Sequence, residues 1–421
     1  MLSRSWAEAA PRVYGMHAAV KAVWAAAALE PPKDLELEDK SFDLLAKRNK
    51  HPLDDYILFE ERRHKYAVGA PPRMWTPAIP ADQDESKDSY PAEEPRAGPL
   101  AEGTRWLSGD DRLTSVTKVI EPFSSGFDKL SISNACANKQ LRLKKELEQS
   151  LRSTRPYIKY RDCDEVFAVP APETDWPAEP SERFAQATAV LSTLPAQQQA
   201  GILQRAFGDE IGCYTGEAVC ALWDANSKFG TDLHLDVEKH INGVAVEREN
   251  CAAWAQYLAF RKDHPDMEFY RVEWRIFDPY RLITGTIDAV VVLARHPDGR
   301  PSKVRLIDWK TSKAIYKDKA QGFFAPPLAH IRVNDVNKYT VQLNLYASIL
   351  EEFYDLEVVD MYLLVFHKNY AGYQKIRVDM LREATQDLLQ AHLDRLVDKI
   401  EGREVPKHVP KVRAPRKRPA A

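Results

Sequence analysis

The stretch Leu306-Ile307-Asp308-Trp309-Lys310-Thr311-Ser312 decides the reading of the whole chain. Its apolar lead-in predicts a strand over Val304 to Thr311, and alternate side chains of a strand share a face. Val304, Leu306, Asp308 and Lys310 therefore project together, while Arg305, Ile307, Trp309 and Thr311 point the other way. A carboxylate and an ammonium end up side by side at the strand end. Hydrolysis of a phosphodiester has use for such a pair, because the carboxylate can hold a hard divalent cation and the lysine can orient a water and steady charge on the phosphate. An isolated Asp-x-Lys more often means an exposed ion pair at a strand end.

The match has company. Gly285-Thr286-Ile287-Asp288 opens the apolar run Ala289 to Leu293, where an acid suffers desolvation unless a metal or a hydrogen-bond donor meets it. A hairpin turning at His296-Pro297-Asp298-Gly299 brings Asp288 beside Asp308, two oxygen ligands for one cation. Upstream, Gly230 to Glu238 reads as a helix with His234 and Glu238 one turn apart on one face, His240 on another, and Asn242-Gly243 as its end. Histidine nitrogen beside two carboxylates suits magnesium or manganese; the plainer reading of a helical histidine is a satisfied polar residue. Downstream, Gln342-Leu343-Asn344-Leu345-Tyr346 places Gln342 and Tyr346 on one helix face. There they could bond a phosphate or the lysine, or serve only as a surface glutamine and a buried tyrosine.

Around these motifs the text is organised unevenly. Residues 1–50 form an extension, partly helical (an Ala-rich stretch at Met16 to Glu30) and otherwise charged or disordered. Residues 51–228 comprise strand-like text at His51 to Val68 and again after Thr104, including Ser115-Val116-Thr117, then a mainly helical region from Phe123 to Phe229 interrupted at Val169 to Pro180. Within that part, Gly69 to Gly103 holds seven prolines and many acids and is expected to be a disordered insertion. Residues 229–402 carry the core: strands at Arg271 to Phe277, Ile283 to Leu293, Val304 to Thr311, Met361 to His367 and Gln374 to Val378, with helices at Tyr339 to Phe353 and Leu381 to Glu401. A basic tail occupies 403–421.

With 59 Lys and Arg against 62 Asp and Glu in 421 residues, the net charge of −3 gives no general pull toward nucleic acid or anionic membrane, so a basic surface must be local. Arg271, Arg275, Arg281 and Lys313 flank the motifs and could contact a nucleic-acid backbone, as could the run from Lys407 to Arg418, which alternatively reads as a nuclear address. The most apolar stretch, Ala22 to Leu29, is far short of a membrane span, so a soluble protein with no membrane partner is expected. Five cysteines without a Cys-x-x-Cys pair argue against a disulfide framework, a zinc site or an iron–sulfur site and fit a reducing compartment. Arg4, Arg12 and Lys21, opposed only by Glu8, weakly suggest a mitochondrial or plastid transit segment. An intracellular protein, nuclear or cytoplasmic, is the simpler expectation.

The ordered set His, Gly-x-x-Asp, Asp-x-Lys, Gln-x-x-x-Tyr resembles the RecB-type branch of the PD-(D/E)xK nuclease superfamily. Asp308-Trp309-Lys310-Thr311-Ser312 is similar to the string of mitochondrial genome maintenance exonucleases and their phage and giant-virus relatives. His51-Pro52, His64-Lys65-Tyr66, Ser115-Val116-Thr117 leading to Phe127-Asp128, and Trp223 before Gly230 resemble the giant-virus members in particular. The resemblance runs from about His51 to Val378 and implies metal ligands at His234, Asp288, Asp308 and the Trp309 carbonyl, with Lys310 catalytic. Glu273 matches an acidic position common in the branch, and Gln342 and Tyr346 would support the site. With no cysteine after Cys251, the iron–sulfur members are excluded. The expected fold is α/β: a mixed central sheet flanked by helices, of restriction endonuclease type, with an N-terminal strand and helical elaboration. The expected protein is a Mg²⁺- or Mn²⁺-dependent deoxyribonuclease, acting as an exonuclease in repair, recombination or genome maintenance, with DNA as partner and no small-molecule cofactor. The alternatives are a non-catalytic protein that holds a DNA end or junction, and a nuclease directed at RNA. The sequence points to no protein partner.

Overall fold

The computed structural model describes residues 16–38, 40–70, 105–108, 113–124, 129–152, 157–159, 166–168, 213–312, 315, 322–407 and 409. Most of the expected insertion at Gly69 to Gly103, residues 1–15, the interruption at Val169 to Pro180, Lys313 and most of the basic tail lie outside the described residues.

In chain order the helices are α1 (Ala18–Ala25), α2 (Leu44–Arg48), α3 (Val116–Ile120), α4 (Lys129–Arg152), α5 (Gly216–Ile241), α6 (Ala252–Asp263), α7 (Asp335–Phe353) and α8 (Arg382–Ile400). The strands are β1 (Ile57–Glu60), β2 (Lys65–Ala70), β3 (Arg105–Ser108), β4 (Thr114–Ser115), β5 (Tyr157–Lys159), β6 (Val166–Ala168), β7 (Phe269–Asp278), β8 (Ile283–Arg295), β9 (Pro301–Lys310), β10 (Glu357–Val365) and β11 (Gln374–Val378). The chain divides into two compact units, Met1–Gly126 with Leu233–Ala421, and Phe127–Asp232.

The first unit is built on a six-stranded mixed sheet. β11, β10, β9 and β8 lie side by side, with β9 and β10 parallel and the other two pairs antiparallel. A parallel pair needs a crossover, and α7 supplies it between β9 and β10. β8 carries β7 along one edge; its other edge is shared by β9, beside its C-terminal half, and the two-residue strand β4, beside its first residues. Both faces are covered. Ile283, Ile287, Val304, Leu306, Met361 and Leu363 pack with α7, α3 and Leu388 and Leu389 of α8. Ala289, Val291, Ile307, Trp309 and Leu364 pack on the opposite face against Leu233 and Val237 of α5 and Trp254, Tyr257 and Phe260 of α6. A strand buried on both faces reads as a continuous apolar run, which is why Ala289 to Val291 does, whereas Leu293 is exposed.

The remaining strands of this unit form an antiparallel sheet β1-β2-β3, whose core joins Phe59, Val68 and Leu107 to Val20 and Trp24 of α1 and Leu396 of α8. Caps fix the connections locally. His51 and Asp54 form a capping box on the turn Pro52–Tyr56, Asp43 caps α2, and Asn334 caps α7.

The sequence reading differs from this fold in four places among the described residues, the first being that β5 and β6 fall within the stretch from Phe123 to Phe229 expected to be mainly helical. Ser115-Val116-Thr117 is not a strand: only Thr114–Ser115 pairs, and Ser115 then caps α3. The Ala-rich helix stops at Ala25 rather than near Glu30. The sequence assigned no element to α6, although Trp254, Tyr257 and Phe260 carry the helical spacing. In the second unit, α4 and the first part of α5 are tied by a Lys129–Asp224 ion pair at 2.6 Å, and β5 and β6 form a two-stranded ribbon.

Candidate metal centre

The site begins where two strands part. Pairing between β8 and β9 reaches Ala289 and Ile307 and stops. The next amide of β9, Trp309 N–H, is taken by the Asp288 carboxylate at 2.8 Å. β9 itself continues, because Val365 pairs with Lys310 and Phe366 N–H donates to the Lys310 carbonyl at 2.8 Å. Asp308 and Lys310 are thus held on a strand supported from its β10 edge.

At the same level the alternation of β7 and β8 changes phase. In β8, Ile283 and Ile287 face the α7 core, whereas Ala289 and Val291 face the α5–α6 core. In β7, Trp274 and Ile276 belong to the first core and Val272 to the second. The switch falls on Glu273, at φ +45°, and on Asp288, which does not pair with it. A left-handed backbone at a non-glycine residue is uncommon and disfavoured, and it tends to persist where the surroundings over-determine it. Here it turns a carboxylate out of both apolar layers.

His234 arrives from the last part of α5. One ring nitrogen, Nδ1, lies 3.3 Å from Glu273 Oε1 and 3.7 Å from Asp288 Oδ2, and Nε2 lies 3.1 Å from the Trp309 carbonyl. The ligating atoms of His234, Glu273 and Asp288 lie within 4.8 Å of one another. Asp308 is 1% exposed; its Oδ2 meets Lys310 Nζ at 2.5 Å, but among the described residues neither oxygen accepts a hydrogen bond of normal geometry. Lys310 Nζ also lies 4.5 Å from the centre of the Tyr339 ring, a cation–π contact. Gln342 donates to the Tyr346 hydroxyl at 3.0 Å, so this pair meets on α7 as its spacing requires. Tyr346 lies so close to Gly285 that a β-carbon there would come within 2.5 Å of its ring.

The electrostatics follow from crowding three acids, an imidazole and a lysine into a half-dry space. Burial pulls His234 toward neutrality, but Asp288 and Glu273 more than reverse this and raise its pKa to about 9. Burial pushes Asp308 up to about 6, Lys310 pulling it partly back and Asp288 adding an upward push. Asp288 is raised chiefly by burial. Lys310 is raised too: burial opposes its charge, and Asp308 and Asp288 outweigh that penalty. These are donors a hard cation can use: carboxylate oxygens, a carbonyl and one imidazole, with an under-satisfied buried carboxylate beside them. The residues fit a divalent ion, which would have to displace the His234 proton.

Of the eight residues expected to act, His234, Glu273, Asp288 and the Trp309 carbonyl come together, with Asp308 paired to Lys310 and Gln342 to Tyr346. Asp308 is not part of the tight three-residue group. Tyr339 was not expected, although it shares a helical stripe with Gln342 and Tyr346. Beyond Glu273 lies a cavity of about 210 Å³ bounded by Lys40, Asp54, Glu238, Arg271, Glu273 and Arg275. Lys40 reaches both oxygens of the buried Glu238 at 3.0 Å and Glu61 at 2.6 Å. Burial lifts Glu238 to about 7 against the pull of Lys40, with Glu273 adding to the rise.

The flanking arginines are corrected by the same network. Arg271 pairs with Asp54 at 2.5 Å, Arg275 with Glu61 at 3.0 Å, and Arg281 with Asp278 and Glu352 at 2.7 and 2.9 Å. Their charges are answered by nearby acids, the buried Asp278 and the more open Asp54, Glu61 and Glu352, so these arginines tie the fold together.

Residues 203–410 match the family model of the PD-(D/E)XK nuclease superfamily, and this segment is a PD-(D/E)XK domain of α/β, restriction endonuclease-like fold. The superfamily is one of phosphodiester-hydrolysing nucleases that use divalent metal ions. Among solved structures, the crystal structure of SSO0001 is similar at 15% identity, covering 45% of this chain and 67% of that one, with a TM-score of 0.21. No curated protein matches. Among the described residues, no helix is long and apolar enough to cross a membrane.

Proposed function

We propose that this protein is a Mg²⁺- or Mn²⁺-dependent deoxyribonuclease, acting as an exonuclease of the RecB-like, mitochondrial genome maintenance type, within the cell and in DNA repair, recombination or genome maintenance. The observation that carries the reading is the convergence of His234, Glu273 and Asp288 beside the Trp309 carbonyl, with the Asp308–Lys310 pair on the adjoining strand, inside a nuclease superfamily domain.

In this reading His234, Asp288, Asp308 and the Trp309 carbonyl hold the ion, and Glu273 supports the set. A bound divalent cation supplies Lewis acidity, which lowers the pKa of water and offsets charge gathering on the phosphate. Lys310 keeps its proton, since its pKa is raised. It therefore works as a donor that orients the attacking water and the phosphate oxygen. Tyr339 and Asp308 fix its ammonium, and the Gln342–Tyr346 pair fixes the helix face behind it.

The test is incubation of the protein with end-labelled DNA, single- and double-stranded, linear and circular, and with labelled RNA, in Mg²⁺, Mn²⁺ or EDTA. Degradation of linear DNA alone, lost in EDTA and in Asp308→Asn, is expected. Cleavage of circles would make it an endonuclease, and preference for RNA would move the substrate. Binding without cleavage in either metal would overturn the enzymatic reading.

A further inference from the structure

A second pocket, of about 180 Å³, opens among Arg63, His64, Tyr66, Ser115, Lys118 and Thr284. Its base is unusual. Thr284 is 1% exposed, and among the described residues its hydroxyl has no hydrogen-bond partner. A buried hydroxyl left alone is costly, so something polar is expected to reach it. By strand alternation Thr284 and Thr286 point away from the α7 core that Ile283 and Ile287 enter, and Thr286 Oγ1 meets the Tyr66 hydroxyl at 2.8 Å. Both threonines therefore face the side where the pocket lies.

Two cationic side chains, Arg63 and Lys118, line the rim beside the His64 imidazole, and no carboxylate does so among the described residues. Glu60 and the Asp34 carbonyl hold the Arg63 guanidinium in place and Glu60 offsets its charge, so the exposed Lys118 carries the positive end of the rim. The Lys118 amide donates to Ser115 Oγ at 3.4 Å, placing the Ser115 hydroxyl and the lysine on one short turn. Such a lining disfavours a cation and offers an oxyanion both charge and hydroxyl donors. The volume accommodates a phosphate group and a few waters, whose share of liquid volume is about 30 Å³ each.

We infer that this pocket is a phosphate-binding site, separate from the metal centre, that holds a phosphate of the nucleic acid being processed. Thr284 stands four residues before Asp288 on β8, about 13 Å at roughly 3.3 Å per residue. A phosphate seated there would fix the register of the strand relative to the bond being cut. The inference deepens the nuclease reading and rests on it for the identity of the ligand.

The test uses the full chain in EDTA, so that cleavage plays no part. Inorganic phosphate binding is followed by ³¹P NMR and calorimetry for wild type, Thr284→Val, Lys118→Glu and Asp308→Asn. Saturable binding by wild type and Asp308→Asn is expected, weakened at least fivefold in Thr284→Val and lost in Lys118→Glu. No binding by wild type, or equal binding by all four, would overturn the site. Should Thr284→Val misfold, the exposed Lys118→Glu decides alone. Short single strands ending in phosphate or hydroxyl then separate the sources. Preference for the phosphorylated end supports a terminal phosphate, and equal affinity, still reduced in both variants, supports an internal phosphodiester. Failure of DNA cleavage would leave these binding results standing, and failure of phosphate binding would leave the cleavage assay standing.

Discussion

The Asp288 carboxylate accepts the Trp309 amide at 2.8 Å, at the level where β8 and β9 cease to pair. One side chain thereby replaces a ladder hydrogen bond, and the same oxygen, Oδ2, lies 3.7 Å from His234 Nδ1 in the group that includes Glu273. The opening of the sheet and the placement of the acid are a single event.

That dual role separates two substitutions. Asp288→Asn keeps an oxygen for the Trp309 amide and should melt within a few degrees of wild type, while losing most of its Mn²⁺ affinity in calorimetry. Asp288→Ala leaves the amide buried and unmet and should lose about 1–3 kcal/mol more in urea unfolding without metal. Equal stability of the two variants would show that the amide contact is incidental.

Lys310 offsets the charge of Asp308, an acid whose pKa burial raises to about 6. Because that value lies above the unfolded one, the metal-free fold is penalised as pH rises from about 4 through 6. Lys310→Met should raise the value further and extend the penalty beyond neutral pH, by about 3–5 kcal/mol for a broken buried pair. Chemical unfolding from pH 5 to 8 should show the variant falling away from wild type as pH rises, with Mn²⁺ restoring part of the loss.

His392 lies far from this chemistry and reports on the back of the fold. It is buried in α8 with Nε2 donating to the Arg281 carbonyl at 3.0 Å, and burial lowers its pKa to about 4. A depressed histidine stabilises the fold fully above about pH 6.5 and loses that contribution as pH falls toward 4. The span corresponds to at most about 3 kcal/mol. His392→Gln, which can keep the donor, should flatten the acid side of the stability curve; an unchanged slope between pH 7 and 4.5 would refute the assignment.

Gly285 and Tyr346 form a packing pair whose cost can be isolated. Gly285→Ala should destabilise by about 1–3 kcal/mol through overpacking. Adding Tyr346→Leu, which removes the obstructing ring, should make the alanine cheaper than it is in wild type. Additive effects in the double variant would place the strain elsewhere.

Much of the centre was legible because strands repeat every two residues. Val304 and Leu306 enter one core and Ile307 and Trp309 the other, which fixes the side of Asp308 and Lys310, and Gly299 at φ +88° closes the hairpin that returns Asp288 to them. The same rule hides the phase change at Glu273, since a left-handed glutamate has no signature in sequence. Tyr339 could have been read from its spacing to Gln342 and Tyr346. The Lys40–Glu238 contact could not, because 198 positions separate the partners and neither lies in a motif that names the other.

The Lys40 contact also bears on where this protein can be cut. Residues 203–410 hold the recognisable domain, yet Glu238 takes its counter-charge from Lys40, Arg271 and Trp274 share Asp54, and β8 takes an edge partner from Thr114–Ser115. A fragment trimmed to the matched boundaries would carry a buried acid, a buried guanidinium and an indole N–H with no one to answer them. The smallest piece that can stand alone is therefore larger than the piece that can be recognised, and an excised domain that aggregates would say nothing against its chemistry.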